Sequence, residues 1–232
     1  MLDDVSFTIA PGEAWGVIGA SGSGKTTLLN LVLGLVEPTE GRIRLEGEPW
    51  SPLPECDRRG RRPRIQAVLQ DAQASLPPHR TGWEILAEPL EVWQRGDGIS
   101  RRAAAVRMAA RVKFPEASLA QRPAAWSHGL AQRLCLGRAL MLAPGLLVLD
   151  EPFSALDATL GDHLRNLLLE LKAEGTALLM ASHELSSVGI LCDQMLLLQD
   201  GKPMCQGPVG QLLSDPPQLH LREFLEAMPV LK

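Results

Sequence analysis

The chain has 232 residues, 45% of them apolar and 22% charged, with a formal net charge of −4. That size suits about one to two domains with a substantial core, and the acidic balance excludes a protein built to coat nucleic acid or an anionic membrane. No apolar run reaches the roughly 18 residues of a spanning helix and no N-terminal signal pattern is present, so membrane association is expected to be peripheral, through a partner.

In chain order, strand-like apolar runs alternate with helix-like segments, which predicts an α/β fold with a largely parallel sheet. Residues 14–18 form a short apolar strand ending at Gly19, and residues 27–35 a helix stopped at Gly34. Residues 42–45 and their neighbours read as a short antiparallel piece broken by Gly41 and Gly47, and residues 65–69 as another strand. From about residue 72 to 142 the pattern turns helical, with Ser100 a candidate cap for the run SRRAAAVRMAARVKF. Residues 146–149 are continuously apolar, as in a strand buried on both faces. Asp157 can cap a long amphipathic helix ending near Gly175, and residues 177–181 form a further strand. Asp200-Gly201 suits a tight type I′ turn in a hairpin. The stretch with Pro208, Pro216 and Pro217, followed by a short helix, reads as a tail. The organisation expected is therefore a core of residues 1–71 and 143–206, a helical insertion of residues 72–142, and a tail of residues 207–232.

The segment GASGSGKT, comprising Gly19, Ala20, Ser21, Gly22, Ser23, Gly24, Lys25 and Thr26, matches G-x-x-x-x-G-K-[ST] between a strand and a helix. Glycines let the backbone turn tightly and aim N–H groups inward, and the following helix adds its positive end. Lys25 can reach the outer phosphates of a nucleotide, and the Thr26 hydroxyl can ligate Mg²⁺.

A second strand run, LLVLDEP, delivers Asp150 and Glu151 side by side. Burying two carboxylates is costly without a cation or a proton-transfer role. Asp150 is expected to face the Mg²⁺ water shell, and Glu151 to orient and polarise an attacking water. Gln70 closes the run IQAVLQ, within reach of metal or water, and His183 follows ALLMAS, within reach of a terminal phosphate. Singly, each also reads as a plain polar strand end. The stretch WSHGLAQR, residues 126–133, leaves two readings open: a turn capping a helix, or half of a site completed by another chain.

The order GASGSGKT, Gln70, WSHGLAQR, LLVLDEP, SALD and His183 resembles the ATP-binding cassette ATPases over nearly the whole chain. Residues 69–90 and 132–140 are similar to nucleotide-binding subunits of dipeptide, oligopeptide and nickel importers. The resemblance implies a RecA-like P-loop NTPase core with an antiparallel β part and a helical subdomain, with ATP and Mg²⁺ as cofactors. It implies that Gly19 to Thr27, including Thr27 itself, bind phosphates. Gln70 would sense metal and transport partner, and Thr26, Gln70 and Asp150 would surround the metal. Glu151 would be the catalytic carboxylate, His183 the switch at the γ-phosphate, and Asp157 a subunit contact. Ser127, His128 and Gly129 would form the signature loop that contacts ATP on the opposite subunit.

Two departures carry expectations. The family's Leu-Ser-Gly-Gly-Gln is replaced here by Trp126, Ser127, His128, Gly129 and Leu130. A Cβ and an imidazole stand where close backbone approach is expected, so the working unit is expected to pair this chain with a different, related ATPase. The family's adenine-stacking aromatic falls before the segment LDDVSF, and the chain has no tyrosine, so weak base selectivity is expected.

Four scattered cysteines, Cys56, Cys135, Cys192 and Cys205, show no zinc-type spacing and are expected to be buried free thiols in a reducing compartment. RRGRRPR, residues 58–64, is expected to be a solvated loop, with no nucleic-acid role. Trp15 is expected in the core, while Trp83 reads equally as core or as an anchor for a membrane subunit. The functional expectation is an ATP-hydrolysing subunit at the cytoplasmic face of the inner membrane, energising an importer of the peptide or nickel type together with permease subunits. The alternative is a soluble cassette ATPase accessory to carbon–phosphorus bond cleavage in phosphonate metabolism.

Overall fold

The computed structural model describes residues 2–154 and 156–214. Its main sheet has six strands in the order β4-β5-β6-β1-β7-β8. They are β1 (Ala14–Ile18), β4 (Ile65–Val68), β5 (Leu146–Asp150), β6 (Ala177–Ala181), β7 (Gln194–Gln199) and β8 (Lys202–Pro208). All neighbours are parallel except β7 and β8, which form an antiparallel hairpin. Its turn residues Asp200 and Gly201 have φ of 49° and 81°, as a type I′ turn requires. A separate antiparallel pair joins β2 (Ile43–Leu45) to β3 (Glu48–Ser51).

The sheet separates two apolar clusters, and the alternation of side chains along each strand feeds both. Ala14 and Ile18 of β1, Leu147 and Leu149 of β5, and Leu178 and Met180 of β6 face the larger cluster. Trp15, Val17, Val148, Leu179 and Ala181 face the other. This explains why the strands read as continuous apolar runs: neither face meets water. Trp15 stacks against Phe7 with ring centroids 5.0 Å apart. The second face is covered by α1 (Lys25–Val32) and by the β2–β3 pair.

The larger cluster is covered by α3 (Gly82–Val92), α4 (Gly98–Arg111), α5 (His128–Leu140), α6 (Ala158–Ala173) and α7 (Leu185–Leu191). A short helix, α2 (Glu55–Arg58), precedes β4. Helices α3 and α4 close on α5 at Gly137, where a Cβ would lie 3.0 Å from Leu86 and 3.3 Å from Val112. Gly16 serves β1 likewise, because a Cβ there would lie 2.5 Å from Val188 on α7.

Several local expectations are revised. The cap of α4 is Asp97, not Ser100. Ser100 sits at the third helical position, its backbone N–H donating to Asp97 Oδ1 at 2.8 Å while its hydroxyl accepts from the Asp97 N–H at 2.9 Å. The helix after the glycine loop starts at Lys25 and ends at Val32, with Gly34 at φ 66° just beyond it. The expected tail begins too early, since β8 runs to Pro208 and α8 (Val209–Ser214) buries Val209 and Leu212. Pro216, Pro217 and the short helix expected after them lie outside the described residues.

RRGRRPR is a short helical turn rather than a fully solvated loop, with Arg58 and Pro63 buried while Arg59, Gly60 and Arg64 are exposed. It folds as a tight turn over the buried Trp50, with the Arg58, Arg61 and Arg62 guanidinium carbons 5.9, 5.7 and 5.1 Å from its ring centroid. The indole N–H donates to the Val32 carbonyl at 2.9 Å. Cation–π attraction and packing of the arginine stems explain why a basic run lies against the core. Cys56 is exposed, contrary to expectation, while Cys135 and Cys192 are buried free thiols. Trp83 is half-buried against the larger cluster, with Arg102 stacked 4.9 Å from its ring centroid.

Candidate functional site

Five parallel strands present their carboxyl ends along one edge of the sheet, where ligands of open α/β sheets bind. Register makes this edge level: Asp150 pairs with Ala181, and Ala181 with Val17. The glycine loop leaves β1 there. At Gly19, φ 158°, a Cβ would collide with the Leu198 carbonyl oxygen and the Ser23 side chain, so no larger residue fits. Gly22 and Gly24, at φ 81° and 108°, turn the chain into α1. No side chain caps α1 and its first turn carries no acid, so its positive end faces the cleft uncompensated.

Lys25 Nζ donates to the carbonyls of Gly19 and Ala20 at 2.8 and 3.1 Å, which folds the ammonium over the loop. The Thr26 hydroxyl donates to Asp150 Oδ2 at 3.1 Å. Asp150 is only 5% exposed. Burial pushes its carboxyl above the usual range, the Thr26 hydrogen bond opposes this, and the neighbouring Glu151 raises it further.

Glu151 is a non-glycine residue at φ 51°, a left-handed conformation that costs about 1–3 kcal/mol and is held by its surroundings. Its N–H donates to the Ala181 carbonyl at 3.0 Å, and its own carbonyl accepts from the Ser154 hydroxyl at 3.0 Å. The backbone turn aims the carboxylate at His183, whose Nδ1 is 2.8 Å from Glu151 Oε2. A carboxylate can only accept, so this contact is made by the imidazole tautomer that carries its proton on Nδ1.

Ser21, Gly22, Gly24, Lys25, Thr26 and Thr27 line an open cleft of about 360 Å³. Gln70, Asp150, Glu151 and His183 line the same cleft. Gly19 and Ala20 act from beneath, through the carbonyls that hold Lys25. Ser23 is buried, and its hydroxyl lacks a partner among the described residues. Ser127, His128 and Gly129 are not in this cleft. Ser127 caps α5, its hydroxyl accepting from the Leu130 N–H at 3.4 Å, and His128 is exposed at the first helical position. Asp157 is likewise outside the cleft and caps α6, accepting from the Leu160 N–H at 2.9 Å.

Sequence reasoning missed the groups that hold these residues. Ser182 accepts from the Glu184 N–H at 2.9 Å, and Ser187 donates to the Glu184 carboxylate at 3.0 Å, fixing the turn that presents His183. Gln132, buried in α5, donates to the Pro152 carbonyl. A glutamine inside the apolar run of α5 was the available signal.

A phosphate-cradling loop, a threonine–aspartate pair and a glutamate–histidine pair at one edge of a parallel sheet define a P-loop nucleoside triphosphatase. A family model described as "ABC transporter" matches residues 2–154. The chain belongs to that family of ATP-binding cassette proteins, and is an ATP hydrolase of that type.

Among curated relatives, a Brucella abortus protein assigned to peptide import as an ATP-binding protein is 38% identical over 230 residues, covering 99% of this chain and 73% of its own. The nickel import ATP-binding protein NikE of Escherichia coli is 36% identical over 234 residues, covering 99% of this chain and 87% of its own. Among solved structures, the dimeric post-hydrolysis state of the cassette MJ0796 bound to ADP and Pi superposes with a TM-score of 0.84 at 28% identity, covering 90% of each chain. The cassette cbiO1 of Clostridium perfringens, at 23% identity and TM-score 0.80, shares the fold. Among the described residues, no helix is long and apolar enough to cross a membrane.

Proposed function

We propose that this chain binds and hydrolyses ATP to drive an importer of the peptide or nickel type from the cytoplasmic face of the inner membrane, docked on permease subunits. The relatives named for peptide and nickel import support this over the phosphonate-associated alternative. The observation that carries the ATPase chemistry is the meeting of Thr26 with Asp150 and of Glu151 with His183 at one strand edge.

The donor set suits Mg²⁺. That ion favours oxygen ligands and keeps several waters, taking few protein groups besides the phosphates, and the Thr26 hydroxyl and Asp150 carboxylate are paired oxygens of that kind. Thr26 and Asp150 would hold it, with Gln70 lining the same cleft. When bound, it neutralises charge developing on the phosphates. Lys25 would exchange its two carbonyl partners for phosphate oxygens. The N-terminal turn of α1, with Thr27, would cradle the inner phosphates. Glu151 would orient a water in line with the terminal phosphate, and His183 would meet that phosphate through Nε2.

Residues 72–142 would act as a helical subdomain on a core of residues 1–71 and 143–206. Ser127, His128 and Gly129, outside the cleft of their own chain, would meet ATP held by a second subunit, with Asp157 at the contact. The His128 side chain and the change at Leu130 favour a related but different ATPase as that subunit. Pull-down from native membranes tests the assembly: permease subunits are expected, and recovery of soluble enzymes alone would overturn it. A stable ATP-bound homodimer of Glu151→Gln protein, with both sites filled, would remove the unlike partner.

A further inference from the structure

We propose that Gln132 is a positioning residue that ties the signature helix α5 to the loop carrying Glu151, so that nucleotide in this chain's cleft is felt at Ser127. The proposal rests on the nucleotide-site reading above. Gln132 is 7% exposed, and its Nε2 donates to the Pro152 carbonyl at 2.5 Å, one residue past Glu151. Only the amide nitrogen can donate to a carbonyl, so the chemistry fixes the orientation of the side chain.

The other half of that amide, Oε1, is buried without a partner among the described residues. An unmatched buried acceptor is a penalty that a leucine of similar volume would avoid, so the donor is what the position uses. Gln132 lies five residues from Ser127, on the second turn of α5. The loop it grips is over-determined, with Glu151 in a left-handed conformation, Ser154 bonded back to the Glu151 carbonyl and Arg165 5.8 Å from the Phe153 ring. A shift of Glu151 toward a bound phosphate moves Pro152 with it. Through Gln132 that shift turns or translates the N-terminal end of α5.

The same helix reaches the segment after Gln70. Cys135 donates to the Ala72 carbonyl at 3.3 Å, and Arg138 to the Ser75 carbonyl at 2.9 Å. Helix α5 is thus a bar with separate grips on the two strand-end loops, and Gln132 is its grip on the catalytic one.

Peptide-level hydrogen exchange on the full chain, with and without Mg-ATP, tests the tie without needing turnover. In the parent, nucleotide is expected to slow exchange in residues 151–157 and in residues 127–131 together, by about fivefold or more. In Gln132→Met and Gln132→Leu, which keep the volume and lose the donor, the slowing is expected to persist in residues 151–157 and to fall below about twofold in residues 127–131. Both segments still slowing together in the variants would overturn the proposal. So would a parent in which residues 151–157 respond alone, or variants that fail to fold, which would make Gln132 merely structural. A parent responding in neither segment would remove the nucleotide site itself, and the proposal with it.

Discussion

His183 Nδ1 lies 2.8 Å from Glu151 Oε2, although the two residues are 32 positions apart and leave different strands. Adjacent parallel strands β5 and β6 end level, so Glu151, one residue past β5, meets His183, two residues past β6, across the edge. The carboxylate is thereby fixed on one side by its own left-handed backbone and on the other by an imidazole.

Glu151→Gln is expected to leave Mg-ATP binding within about twofold of the parent and to lower hydrolysis by about a hundredfold or more, the usual scale for removing a positioned acid–base group. His183→Ala is expected to act in the same direction, through loss of the same pair. Single-turnover hydrolysis beside equilibrium nucleotide binding separates the two effects. A Glu151→Gln protein hydrolysing at the parental rate would move the catalytic role elsewhere.

Asp150 gives a pH signature. Its folded carboxyl holds its proton more tightly than the unfolded chain's ordinary aspartate, mainly because it is buried. The folded state therefore binds more protons in the window above the ordinary value, and stability falls as pH rises through that window. Without metal, burial of this carboxyl disfavours its charged form. Asp150→Asn is expected to melt about 2–4 °C higher than the parent in metal-free and nucleotide-free buffer at pH 7. That gap should shrink as the pH approaches 4, the ordinary aspartate range. The variant should also lose the stabilisation Mg-ATP gives the parent. Melting curves across pH, with and without Mg-ATP, read both effects.

Trp50 organises the basic turn. It is fully buried and carries three guanidinium groups around its ring. Trp50→Ala is expected to cost about 3–5 kcal/mol in urea unfolding, as large aromatic truncations do. Arg59→Ala, at an exposed position in the same run, is expected to change stability by less than about 0.5 kcal/mol. Equal effects would mean that the run is held by charge count alone.

The thiols should react unequally. Cys56 is exposed, whereas burial pushes the Cys135 thiol to about 11 and the Cys192 thiol to about 12. Cys205 is half-buried and also raised. Thiolate is the reactive form, so an aromatic disulfide reagent at pH 8 is expected to titrate Cys56 in a fast phase that Cys56→Ser abolishes. Cys135 and Cys192 should appear only after denaturation. A fast phase surviving in the Cys56→Ser protein would contradict the packing around the buried pair.

The parts of the site that were legible are those where backbone chemistry and motif coincide. Gly19 could be singled out because a loop turning from a strand into a phosphate-facing helix needs close backbone contacts, and the structure shows the contact that forbids a Cβ. Asp157 as a helix cap was legible because capping is local, and the Leu160 N–H is three residues away. Asp97 was passed over for Ser100 because both suit a cap and only the backbone shows which residue stands outside the helix. RRGRRPR reads as solvated because charge is a local property, while the packing of Arg58, Arg61 and Arg62 depends on Trp50, several positions upstream in β3.

The amino-acid order by itself determined the phosphate loop, the acidic strand end and the buried strands, since each rests on neighbours within a few positions and on the two-residue period of a strand. Only the tertiary structure decided which strand ends stand level, that Glu151 meets His183, and that Gln132 reaches Pro152. Those contacts depend on strand order and helix placement, which arise from packing two apolar faces at once, and no short window of sequence contains both partners.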